Sequence, residues 1–362
     1  MIPGLGKHLN KQDVYAPCLD TLPIYKTGVL LQSLTGLKFM NQFILPKDID
    51  YSIFKKYLSK ASKNNQFTNY GHAVQTLEKR AREMLKINDD KAVIAVTNGS
   101  SAVSTIIFSL EKERGSSLRT LTQDFTFPSN AQLAASGAFV TDFDEDLNID
   151  LNYQWIDNVD IVVVTNIFGH LQNLDKIMAL SKDKILVLDN AATPYSFYKG
   201  TNSCNLGFAS YISLHHTKPI GFGEGGLVII DKDYEESARA IISFGWIGGK
   251  FNERGSNFKM SEISAAAILQ WWDRFNIDEL KEKYLHNYYN KRYEMATEHG
   301  QVYPHRGDMD FFPSCLPYIH NEFINPKNNY EFKYYKPLIG LPISQDTYNK
   351  IICYGIAENW YV

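Results

Sequence analysis

Apolar residues along this chain follow two rhythms. Early in the chain they recur at helical spacing: Ile53, Phe54 and Leu58 predict a helix over residues 48–62, and Val74, Leu77 and Ala81 predict another over 73–85. From residue 92 the pattern changes to short, continuous apolar runs at 92–96, 119–122, 138–142, 160–165, 184–189, 209–212 and 227–230. Runs of this kind, rich in branched residues and bounded by turn signals, predict strands buried on both faces of a parallel sheet. Helical segments are predicted between and after them, at 102–110, from 130, at 174–181, 235–244, 259–275 and 277–299. The alternation predicts an α/β fold, a mostly parallel seven-stranded sheet flanked by helices, with a smaller, mainly helical C-terminal domain.

The rhythm fails at both ends. Pro3, Gly4, Gly6 and Pro17 break any pattern in residues 1–45. That segment reads as an irregular arm, packed on the body or on a partner subunit, or as a frayed tail. Residues 46–247 form the expected large domain and 248–362 the small one. Within the latter, Pro304, Pro313, Pro317 and Pro326 suggest irregular chain, and Ile343-Ser-Gln-Asp-Thr347 reads as the cap of a last helix over 348–359.

Composition removes several classes. The net charge of -3, with no basic run, makes nucleic acid an unsuitable partner. Cys18, Cys204, Cys315 and Cys353 are far apart and form no Cys-x-x-Cys pair, so neither a zinc knuckle nor a redox motif is indicated. They read as free thiols in a reducing cytoplasm. No apolar run is long enough to span a membrane, and the first residues lack the features of a signal peptide. The expectation is a soluble, cytoplasmic protein. The acidic stretch 142–146 lacks the glycine and terminal glutamate of a calcium loop and reads as a solvated turn, so no metal is expected.

Candidate chemistry gathers in the stretch 213–226, between the last two predicted strands. It holds one lysine, Lys218, in a glycine-rich turn, with the hydroxyl of Ser213 five residues upstream. Such a lysine either forms a Schiff base with a carbonyl cofactor or is simply a solvated loop residue. Gly221-x-Gly223-x-x-Gly226 has the form of a dinucleotide fingerprint, but a strand rather than a helix follows it. Tight turns needing positive φ account better for these glycines. Two other features stand out. Thr97-Asn-Gly-Ser-Ser101 lies between a strand and a helix, as a phosphate site or an ordinary serine cap would. Asp189 ends the strand 184–189, either facing the crevice where α/β folds bind ligands or opening a turn. A phosphate turn, the aromatic Phe127, a strand-end carboxylate and a lysine, in this chain order, are the set pyridoxal phosphate requires.

These motifs as a set resemble the fold-type-I pyridoxal-phosphate nucleotide-sugar aminotransferases, the group that includes viosamine and perosamine synthases. The resemblance covers roughly residues 65–275. It rests on Ser213-Leu-His-His-Thr-Lys218 followed by Glu224-Gly-Gly226, on Asp189 with Tyr198 and Gly200, on 97–102, and on Gly255-x-Asn257-x-Lys259-Met260-x-Glu262, with an echo at 341–344. The resemblance implies that Lys218 is the Schiff-base lysine and Asp189 the partner of the pyridine nitrogen. It implies that Phe127 and Ala191 sandwich the ring, and that Ser100, Ser101 and Ser213 hold the phosphate. It also implies that Asn257 reaches the phosphate of the second subunit, hence a homodimer with shared sites. One position departs from the group: Ala192 stands where Gln or His is usual, and Asn190, Thr193 or a water is left to substitute. The implied reaction moves an amino group from glutamate to a nucleotide-linked 4-keto-6-deoxy sugar, at C4 by the His-x-x-Lys pattern, with C3 open. Two alternatives stand beside it. One is a related sugar dehydratase, a class with histidine in place of the lysine, which Lys218 argues against and His215 and His216 keep in view. The other is a non-catalytic ligand-sensing relative.

Overall fold

In the computed structural model, residues 44–123, 125–127, 129–130, 138–141, 143, 147–152, 156–180, 182–192, 194–246, 254–299, 310–319, 332–334 and 351–357 are described. The expected arm lies almost wholly outside them. So do most of the acidic stretch, Thr193 and the stretch 341–347.

Within the described residues the helices form where the spacing places them, and the one expected from 130 lies outside them beyond its first residue. α1 (Tyr51–Asn64) starts at Asp50, whose carboxylate accepts from the N–H groups of Ser52 and Ile53 at 2.9 and 3.0 Å. α2 (His72–Met84) has no side-chain cap of its own, because Gly71 precedes it. β1 (Lys91–Val96) is buried at every position. α3 (Gly99–Arg114) follows through a capping box of Asn98 and Ser101. Then come β2 (Thr120–Gln123), β3 (Phe139–Thr141), β4 (Ile161–Thr165), α4 (Leu174–Leu180) and β5 (Ile185–Asp189). A small hairpin joins β6 (Phe197–Tyr198) to β7 (Thr201–Asn202), ahead of β8 (Ala209–Ser213) and β9 (Gly226–Asp231). α5 (Glu235–Ile241), α6 (Glu262–Trp272) and α7 (Ile277–His299) are the remaining α-helices among the described residues.

The expected seven-stranded sheet is present, in the order β1-β9-β8-β5-β4-β2-β3. All pairings are parallel except those of β9, which is antiparallel to β1 and β8. The period of two sorts side chains onto two faces. Val93, Ala95, Ile212, Leu227 and Ile229 meet α2, α6 and α7 on one face. Ala92, Ile94, Val187, Tyr211 and Val228 meet α3 and α5 on the other. The C-terminal ends of β1, β4, β5 and β8 therefore share one edge, and the antiparallel β9 brings its first residue, Gly226, to the same edge.

The C-terminal region departs from the sequence reading. β10 (Cys315–Ile319), β11 (Phe332–Tyr334) and β12 (Ile351–Gly355) make a second sheet of order β10-β12-β11. The expected helix over 348–359 is thus a strand at its centre. Ile351-Ile-Cys-Tyr-Gly355 is branched and aromatic, and antiparallel partners on both sides outweigh the local cap signal. Pro317 fits because β10 is an edge strand. Cys204 and Cys315 are free and buried, and burial pushes the Cys204 thiol up to about 12.

One buried carboxylate locks the helical layer. Glu262 is 0% exposed and accepts from the N–H groups of Ala73 and Val74 at 2.7 and 3.1 Å, capping α2 from the first turn of α6. Glu262→Ala is expected to leave two buried N–H groups unpaired and to cost about 3 kcal/mol of unfolding free energy. Urea unfolding checks this, and a loss under about 0.5 kcal/mol would count against it.

Candidate active site

The site builds up from the shared sheet edge. The register pairs Val96 and Ser213 with Gly226, Asp189 with Tyr211, and Thr165 with Asp189. Asp189, Tyr211 and Thr165 therefore lie on one face at the strand ends.

Asp189 is buried, with 2% of its surface exposed. Oδ1 accepts from the Ala191 N–H at 2.9 Å, and Oδ2 from Thr165 Oγ1 at 3.2 Å and Asn130 Nδ2 at 3.4 Å. Burial raises its pKa. The Ala191 N–H, the Tyr211 hydroxyl, the charge of Lys218 and the Thr165 hydroxyl pull the other way. Lys218 and Asp189 are thus close enough to interact electrostatically. Asn130 also donates to Thr126 at 2.8 Å and accepts from the Tyr211 hydroxyl at 3.0 Å. Asn130, Thr165 and Tyr211 were not singled out in the sequence. For Thr165 and Tyr211 the only signal was a polar group within an apolar strand run, and Asn130 opens a predicted helix.

The turn that carries Lys218 is wound by its own backbone. The Lys218 N–H donates to His215 O at 2.9 Å and Gly221 N–H donates to Lys218 O at 3.0 Å. Leu214 pairs with Gly225 and Phe222. Of the three fingerprint-like glycines only Gly223 needs a positive φ, at 65°. The other two are required for space. A Cβ on Gly221 would lie 2.1 Å from His215 O, and one on Gly226 2.5 Å from the Asn98 carbonyl. β9, not a helix, begins at Gly226. The histidines help shape the turn. His215 Nδ1 accepts from the Thr217 N–H at 3.2 Å, and the His216 ring packs edge-on against Phe222. Burial pushes His216 down to about 4.

The start of α3 faces the same edge. The first-turn N–H groups of Gly99 and Ser100 have no acceptor within the helix. A Cβ on Gly99 would sit 3.6 Å from Ser213 Oγ, which brings that hydroxyl to the same spot. Ser101 is engaged in the cap. Its N–H donates to Asn98 Oδ1 at 2.8 Å, and its hydroxyl is held by Thr97 and Asn98. Its hydrogen bonds close its own capping box, so the groups left near this spot are the first-turn amides of Gly99 and Ser100 and the Ser213 hydroxyl, which accepts from the His215 N–H at 3.3 Å.

The remaining candidates are placed as follows. Phe127, after β2, is 63% exposed. Ala191 is half-buried beside Asp189. Asn257 is exposed and bridges Ser243, next to Phe258, whose carbonyl accepts the Thr97 N–H at 2.9 Å. Asn190, one of the groups left to substitute for the missing Gln or His, is turned inward. Its Oδ1 accepts from Asn166 and Ser203, and its amide is directed to the Cys204 sulfur, all buried.

These residues fit pyridoxal phosphate. Two free helix amides and two hydroxyls suit a phosphate dianion. A buried carboxylate that accepts from the Ala191 N–H, Thr165 and Asn130 suits a cationic ring nitrogen, and a lysine stands within electrostatic reach of it.

Comparison with known proteins agrees with this reading. The model of the DegT/DnrJ/EryC1/StrS aminotransferase family matches residues 49–319. The UDP-4-amino-4,6-dideoxy-N-acetyl-beta-L-altrosamine transaminase of Campylobacter jejuni is 24% identical over 340 residues, covering 84% of this chain and 87% of that one. The GDP-perosamine synthase of Escherichia coli O157:H7 is 23% identical over 227 residues, 59% of this chain and 60% of that one. The crystal structure of DesI in the presence of its TDP-sugar product superposes with a TM-score of 0.71 at 20% identity, covering 88% of this chain and 90% of that one.

Proposed function

This chain belongs to the DegT/DnrJ/EryC1/StrS aminotransferase family, and on that premise we propose that it moves an amino group from glutamate to C4 of a nucleotide-linked 4-keto-6-deoxy sugar, as a homodimer. It is a pyridoxal-phosphate-dependent sugar aminotransferase. The observation that carries the reading is the meeting of Lys218, the buried Asp189 and the free first turn of α3 at one sheet edge. The C4 assignment draws on the Campylobacter relative, whose name puts an amino group on carbon 4 of a 6-deoxy sugar. The nucleotide differs among the relatives, so the nucleotide-linked class is the substrate proposed.

Bound pyridoxal phosphate supplies an aldehyde that condenses with amines and a protonated ring that accepts an electron pair. The protein supplies the rest. The Gly99 and Ser100 amides and the Ser100 and Ser213 hydroxyls would hold the phosphate, and Phe127 and Ala191 would flank the ring. Asp189, at the sheet edge, would keep a proton on the ring nitrogen. Lys218 Nζ would hold the aldehyde and, as a neutral amine, would take and return a proton as general base. Asn257 would complete the phosphate site of the partner subunit.

Two measurements test this. The pyridoxal form of the protein mixed with glutamate should bleach stoichiometrically, and a nucleotide-linked 4-keto-6-deoxy sugar should restore the colour with release of a 4-amino sugar. Release of a deoxy sugar instead would identify a dehydratase. Mixing inactive Lys218→Ala with inactive Asn257→Ala subunits should regain activity in hybrid dimers if sites are shared; an active monomer would refute the sharing.

A further inference from the structure

The turn that carries Lys218 is gripped from outside as well as wound from within. Lys47 Nζ donates to His216 O at 2.8 Å, to Lys218 O at 2.6 Å and to Gly221 O at 2.6 Å. The neighbouring carbonyls are taken by tandem tryptophans of α6: Trp271 Nε1 donates to Pro219 O at 3.2 Å and Trp272 Nε1 to Ile220 O at 2.7 Å. Lys47 Nζ lies 5.3 Å from the Trp271 ring centroid, so cation and indoles form one clamp.

Lys47 stands in the connection ahead of α1, on no regular element. Among the described residues no carboxylate pairs with it, and its hydrogen-bond acceptors are the three turn carbonyls. Burial pushes the ammonium down to about 7. The carbonyl dipoles oppose that push, and only the charged form has three N–H groups for three acceptors. Without a cation at their focus, three converging carbonyl oxygens repel and turn apart. The Lys218 backbone would turn with them, and its Nζ, at the end of a long side chain, would swing farthest.

We propose that Lys47 is a positioning residue for Lys218: it draws the carbonyls of His216, Lys218 and Gly221 to one point and so fixes the backbone from which the Lys218 amine reaches toward Asp189. The proposal rests on Lys218 being the lysine that holds pyridoxal phosphate.

The test uses full-length Lys47→Met, which keeps the stem and removes the charge, beside Lys47→Arg and wild type. Three quantities are read: the rate at which cofactor-free protein links added pyridoxal 5′-phosphate, followed by absorbance and by borohydride trapping at Lys218; kcat and KM; and the urea midpoint. Lys47→Met should link cofactor roughly tenfold more slowly and lose about a hundredfold in kcat, with KM changed by less than about threefold, since small misplacements act on the reacting geometry. Lys47→Arg should recover much of both. A structural role alone would lower the urea midpoint while leaving linking rate and kcat per loaded site at wild-type values, and that result overturns the proposal. Should Lys47→Met not fold, wild-type linking and kcat in both Lys47→Arg and Lys47→Gln would overturn it equally. Wild type that fails to trap cofactor at Lys218 would refute both this and the reading beneath it. Trapping at Lys218 with no difference among variants would refute the role of Lys47 alone.

Discussion

Lys218→Ala is expected to lose transamination by more than about a thousandfold, because one substitution removes both the anchor for the cofactor aldehyde and the general base, which alone contributes about 10²–10⁴. The fold should survive it. The turn is held by its backbone and by Lys47, Trp271 and Trp272, which all bind carbonyls rather than the Lys218 side chain. The donors proposed for the phosphate, at the start of α3 and at Ser213, are untouched, so cofactor should still bind, without becoming trapped by borohydride. The variant should therefore show a near-native urea midpoint, retain weak cofactor binding and fail to convert glutamate. Turnover at wild-type rate would place the reactive lysine elsewhere.

Asp189→Asn is expected to keep much of the bound cofactor and lose most of the rate. In the proposed role the carboxylate would keep a positive charge on the ring nitrogen, and that charge would make the ring an electron sink. Asparagine has the same shape and can still accept from the Ala191 N–H. Its amide, however, would face the Thr165 hydroxyl and the Asn130 amide. Asn130 can turn its oxygen toward the new donor, at the expense of its bond from the Tyr211 hydroxyl. A close ion pair in a partly desolvated site is worth several kcal/mol by order of magnitude. Losing about 3 kcal/mol from the transition state slows the step by more than roughly a hundredfold. Single-turnover bleaching by glutamate measures this directly. A rate within a few-fold of wild type would mean another group holds the ring proton.

Both predictions draw on residues that the sequence exposes, and the reason is local. Lys218 stands alone in a glycine-rich turn between two apolar runs, and Asp189 closes a third. The period of each run decides which side chains a strand buries, and a strand end decides which edge a residue reaches. The seven strands and most of the helices follow from the same patterning, and the family resemblance assigned roles to the marked positions.

What surrounds those residues was decided only by tertiary contact. Lys47 meets the catalytic turn across 169–174 positions of sequence, and Trp271 and Trp272 across 52, so no window of the sequence holds both partners. The Asn98 side chain and the buried partners of Asn190 determine that Ser101 and Asn190 turn inward, choices that a list of polar residues near a motif leaves open. β12 formed a strand where a cap signal suggested a helix, because β10 and β11 offered hydrogen bonds on both sides. The sequence by itself marked the side chains proposed to carry the chemistry, since reactivity and burial period are local properties. The tertiary structure decided how firmly each is held, since a buried carbonyl, amide or carboxylate takes whichever partner the folded chain brings to it.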